Sequence, residues 1–234
     1  MKKKLVILLV FSIAMGFLEG AVVVYLRELL YPNGFSFPLA PVPDKIAFTE
    51  LIREAATIIM LASIAFLCGT TRNSRWAFFL IAFAIWDLTY YFALKLILDW
   101  PDSIFTWDIL FLIPVPWIGP VIAPCLIAVL MIILAMGMLQ NEKYKKSVVF
   151  SRSTLVSMGL GCSLILISFM QDYITILNER GLAAAIWTPG SAVKLFEVVN
   201  VFVPHAFNWE LFFSGICLFV LGIIKHLRKL FTVD

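Results

Sequence analysis

Long apolar stretches recur along the chain at residues 5–30, 46–69, 76–98, 118–139, 154–176 and 209–227, separated by shorter polar connections. Each is long enough to cross a hydrocarbon layer of about 30 Å, which takes about 20 helical residues. The pattern predicts an all-α, polytopic integral membrane bundle of six transmembrane helices. No internal repeat or domain-sized linker interrupts it, so residues 1–234 read as a single transmembrane domain. The first stretch opens like a secretory signal, with Lys2 to Lys4 before an apolar run, but that run continues to Leu30 without a small-residue cleavage site. It is therefore expected to remain as an uncleaved anchor.

The connections differ in character. Residues 31–45 hold four prolines, and residues 99–117 hold Trp100, Trp107 and Trp117. Pro114, Pro116, Pro120 and Pro124 remove backbone donors and disfavour helix before them, so residues 108–124 cannot form one regular helix. An interfacial or re-entrant piece is expected to precede the fourth span, since residues 107–139 would make about 50 Å of helix. Residues 181–208 are apolar but broken by Pro189-Gly190 and Pro204, and Lys194 and Glu197 suit a helix lying in the interface. Asn208 followed by Glu210 reads as an N-cap and first-turn acid for the last span.

Composition agrees with the bilayer: 62% of residues are hydrophobic, 14% are charged, and mean hydropathy is +0.99, too little polar surface for a soluble globule. Charge adds an orientation. Lys2 to Lys4, Arg72, Arg75, Lys143, Lys145, Lys146, Arg152, Lys225, Arg228 and Lys229, twelve of 18 basic residues, fall on the face shared by the termini. Only Glu142 and Asp234 of the 15 acids accompany them. Both termini are thus expected to be cytoplasmic. With no N-x-[ST] acceptor in the chain, the bacterial cytoplasmic (inner) membrane is the expected location. The Lys143 to Lys146 cluster is a topology signal that meets anionic lipid, and no nucleic-acid partner is expected.

Charge within a span costs about 2.5 to 3.5 kcal/mol at mid-bilayer, so such residues face the bundle interior or water. Glu50, Arg53, Glu54 and Thr57 are spaced i, i+3, i+4, i+7 and form one stripe on the second span. On the first span, Ser12, Gly16, Glu19, Gly20 and Arg27 share a face, and the small residues permit close helix approach. On the third, Ala84, Asp87, Tyr91 and Lys95 align, with Asp87 the deepest acid, about 18 Å from the inner boundary. Neighbouring helices bring these stripes together into an outward-open polar cavity of Glu19, Arg27, Glu50, Arg53, Glu54, Asp87, Tyr91 and Lys95. Carboxylates there can bind a cation, relay protons or act as acid and base; equally, they can form an ion-pair network that fixes helix register.

The acidic, Trp- and Pro-rich outer face offers Trp100, Trp107, Asp108, Trp117 and Trp187 as residues for docking a membrane or periplasmic protein, with Asp108 also near the cavity mouth. Cys68, Cys125, Cys162 and Cys217 lie in spans without C-x-x-C spacing, which indicates packing and not a disulfide or zinc framework. His205 and His226 are about 31 Å apart by helical rise and cannot share a haem. His205 alone is a weak metal candidate. No catalytic or nucleotide-binding motif is present, no cofactor is expected, and membrane lipid is the expected small-molecule partner. Three functions remain, in descending order: an accessory or assembly subunit docking through the outer face, a cation- or proton-coupled transporter, and an intramembrane enzyme on a lipid-like substrate.

Overall fold

The computed structural model describes residues 2–143, 150–184, 188, 198 and 202–232. Its elements are α1 (Lys2–Leu30), α2 (Asp44–Cys68), α3 (Arg72–Leu98), β1 (Trp107–Phe111), β2 (Trp117–Pro120), α4 (Ile122–Lys143), α5 (Arg152–Glu179) and α6 (Trp209–Thr232). Six helices are long and apolar enough to cross a membrane, and the protein is an all-α, multi-pass membrane bundle. The expected interfacial helix with Lys194 and Glu197, the Pro189-Gly190 break, Lys145 and Lys146 lie outside the described residues.

Helix ends follow local chemistry. The Thr71 side chain accepts from the Ser74 amide while Ser74 accepts from the Thr71 amide, a reciprocal cap that starts α3 after a three-residue turn. The Asn208 carboxamide accepts from the Leu211 amide at 2.9 Å, which makes it the N-cap expected for α6. The start of α4 departs from the expected 118, because residues 117–120 are a strand.

Packing is pairwise: α1 lies on α3, α3 on α4 and α2, and α5 on α6. Lipid tails are as apolar as leucine, so these contacts rest on close fit. A Cβ at Gly16 would stand 2.6 Å from the Thr89 Cβ and 2.7 Å from the Trp86 carbonyl oxygen, so α1 meets α3 backbone to backbone. Gly161 and Gly215 do the same for α5 and α6, where a Cβ on Gly161 would come within 2.7 Å of the Gly215 carbonyl oxygen. Leu8, Leu61, Phe78, Ile81, Trp86 and Leu134 fill the main core, while Leu29 and Leu67 face outward, as lipid-facing side chains must.

The proline-rich stretch between α3 and α4 forms neither a helix nor a loop lying flat. β1 and β2 pair antiparallel, with Asp108 opposite Gly119 and Ile109 opposite Ile118, and the register shifts between Ile109 and Phe111. Pro114 and Pro116 fall in the turn, where a missing N–H breaks no ladder bond. The pair is seated against α5, with Gly119 so close that a Cβ would meet the Phe169 ring at 2.9 Å.

Candidate functional site

α1, α2, α3, β1 and residues 31–42 line a cavity of about 160 Å³ at the hairpin end of the bundle. Its acids are Glu19, Glu50, Glu54, Asp87 and Asp108, and its cations are Arg27 and Arg53. Glu19 reaches it because Gly16, one turn earlier, lets α1 close on α3. Glu50, Arg53 and Glu54 reach it because i, i+3, i+4 spacing keeps them on one face of α2.

Arg53 is shared. It pairs with Glu19 across the α1–α2 contact and with Glu50 at 2.7 Å within its own helix. Thr57, one turn below, donates to the other Glu19 oxygen at 3.3 Å. Glu54 takes the Leu112 amide on both carboxylate oxygens, at 2.9 and 3.0 Å, and so ties α2 to the hairpin turn. Arg27 is buried, with its guanidinium 3.7 Å from the Trp100 ring centre and 4.5 Å from that of Phe35, and its Nη2 donates to Asp108 Oδ1 at 3.3 Å. An aromatic enclosure of this kind stabilises the cation by its ring quadrupoles after water is lost.

Asp87 behaves differently. It lines the cavity yet makes no hydrogen bond or ion pair among the described residues. It does face Asp108 within electrostatic range. Asp108 is 2% exposed, and its Oδ2 has no partner in hydrogen-bonding geometry, although the Tyr91 and Tyr90 hydroxyls stand near enough to favour its charged form. Burial dominates over Arg27 and these hydroxyls, and pushes Asp108 up to about 6. Among the described residues, two guanidiniums thus stand against five carboxyl groups in a space with largely apolar walls.

Of the residues expected to share a polar cavity, Glu19, Arg27, Glu50, Arg53, Glu54, Asp87 and Tyr91 line one. Lys95 does not: its side chain is 52% exposed and reaches Asp99 at 2.7 Å together with the Asp99 and Pro101 carbonyls. It caps the end of its own helix. Among the residues expected at an outer docking face, Trp100 and Asp108 are turned inward onto Arg27. Trp107 and Trp117 are half-buried against Phe207 and Phe169. Trp187 lies outside the described residues. His205 is exposed, and no group of three metal-binding side chains gathers among the described residues.

Sequence reasoning missed Trp86 and Tyr90 on the cavity wall, and Phe35 against Arg27. Trp86 and Tyr90 are spaced i, i+4 and flank Asp87, a signal that was legible; Phe35 is brought to Arg27 only by the fold of residues 31–43. No protein-family model matches the chain, and no curated protein or solved structure is detectably similar to it.

Proposed function

We propose that this protein is a cation- or proton-coupled membrane transporter that works through the acid-rich cavity. The observation that carries the reading is Asp87, a carboxylate inside the bundle with no partner among the described residues, in a cavity whose two guanidiniums are already engaged. A carboxylate within a membrane is costly, and one whose charge no neighbour satisfies suits a site that takes up and releases positive charge. The remaining acids support this, because pairing with Arg53, Arg27 and the hairpin amide already fixes Glu19, Glu50, Glu54 and half of Asp108. A docking subunit finds less support, since Trp100 and Asp108 are engaged in interior contacts. An enzyme finds less support too, since no serine, threonine or cysteine lines the cavity among the described residues.

The bacterial cytoplasmic membrane is the proposed location, with both termini on the cytoplasmic side, because twelve of 18 basic residues share that face. Reconstituted into liposomes with a pH gradient or a sodium gradient, the wild-type protein should pass protons or the cation, as read by an entrapped pH-sensitive or cation-sensitive dye. Asp87→Asn keeps size and hydrogen bonding but removes charge and proton exchange, and should abolish the flux. Equal flux in the two proteins, or none in wild type under either gradient, rejects the reading.

A further inference from the structure

Behind the cavity lies a smaller chamber of about 80 Å³, reaching α4 and α5. The two spaces share Trp86, Asp87, Leu110 and Phe111 in their lining, so they are neighbours across these side chains. Residues that line one or both of the two spaces carry polar groups without partners. Among the described residues, Asp87, which lines both spaces, has no partner, Asp108 lacks one at Oδ2, and the indole N–H groups of Trp86 and Trp117 are buried without an acceptor. Trp86 is 6% exposed and Asp108 2%. A buried polar group left unmet is costly, and such groups gather where a ligand completes them.

The set is complementary to one kind of molecule. Asp87 and the free oxygen of Asp108 can accept from a cationic N–H donor, the two indole donors need an acceptor, and the larger space also has apolar lining, with Val23 and Leu26 on α1 and Ile46 on α2. Tyr90, Tyr91 and Trp86 add aromatic surface beside the acids, which attracts an organic ammonium more than bare apolar walls would. We propose that the two spaces form one binding site for a small organic amine in its ammonium form, with an apolar body and a hydrogen-bond acceptor. The ammonium sits at Asp87 and Asp108, and the acceptor at the indole N–H groups of Trp86 and Trp117. This rests on the cation reading above and names the class of cation.

The test uses the full chain in mild detergent and isothermal titration calorimetry with two amines of equal shape. The probe 2-phenoxyethylamine carries an ether oxygen, and 3-phenylpropylamine has a methylene in its place. Wild type should bind the ether about 3- to 10-fold more tightly, the worth of one neutral hydrogen bond. Trp86→Phe should erase that preference, while Asp87→Asn should weaken both amines about 10- to 100-fold. Equal affinities in wild type, a preference that survives Trp86→Phe, or tight binding by folded Asp87→Asn overturns the proposal. Should Asp87→Asn fail to fold, the Trp86→Phe comparison decides alone. Asp87-dependent flux of protons or sodium without amine binding overturns the amine site and leaves the transport reading standing.

Discussion

Arg53 is the residue on which the helix-to-helix polar contacts turn. It holds Glu19 of α1 and Glu50 of α2 at once, so its removal leaves two carboxylates inside the bundle without their cation. Breaking a buried pair by deleting one partner costs about 3 to 5 kcal/mol; with 20% of its side chain exposed, Arg53 should fall at the lower end, about 3 kcal/mol. Arg53→Ala should therefore unfold in detergent well before Lys45→Ala, an exposed cation in the first turn of α2 with no ion pair among the described residues, and equal melting of the two variants would show the Arg53 pairs to be fully solvated. Glu54 makes a different contribution. Glu54→Gln keeps one acceptor for the Leu112 amide but loses the charge that strengthens it, so the hairpin turn should loosen while the helices hold. Faster amide exchange at Leu112, with rates in α2 unchanged, is the expected result.

At the scale of elements, glycines decide how near the helices come, and with that whether the acids meet at all. Gly16 lies one turn before Glu19 and abuts the Trp86 carbonyl, one residue before Asp87, so the spacing that fits α1 to α3 also sets the width of the cavity. Gly16→Ala improves helix propensity but drives a methyl group into backbone, and overpacking of this kind costs about 1 to 3 kcal/mol. Gly159, on the same helix as Gly161, has nothing within 4 Å, so Gly159→Ala should be neutral or stabilising by up to about 1 kcal/mol. Opposite shifts in melting temperature for the two variants are the expected outcome; a neutral Gly16→Ala would mean that α1 and α3 separate freely. The hairpin acts in the same way: β1 carries Asp108 to Arg27 and the turn carries the Leu112 amide to Glu54, so that its backbone borders a space that α1, α2 and α3 leave open.

For the whole molecule, the segregation of charge predicts one orientation. Single cysteines at Asn73 should label only from the cytoplasmic side in intact cells, and those at Asn33 and Ser103 only from the other side; labelling of position 73 from outside would reverse or break the six-span topology. The number and extent of the spans were legible in the chain, because solvation by lipid is a local property: any run of about 20 apolar residues satisfies its backbone only as a helix. The stripes of Glu50, Arg53 and Glu54, of Glu19 and Arg27, and of Asp87 and Tyr91 were legible for a similar reason, since helical periodicity fixes which residues share a face before any partner is known. Lys95 has the same periodicity as Asp87 but lies two turns on, at the helix end, where a long side chain reaches its own terminal carbonyls instead of the interior. What the sequence could not carry was the partner of each face. Whether residues 107–120 lie in the interface or fold back as a hairpin depends on pairing between strands. That Arg27 meets Trp100, Phe35 and Asp108, that Glu54 meets Leu112, and that Asp87 meets no partner among the described residues are outcomes of long-range packing. Composition and periodicity settle what must leave water; only the tertiary structure settles which buried charges are answered and which stay open to a ligand.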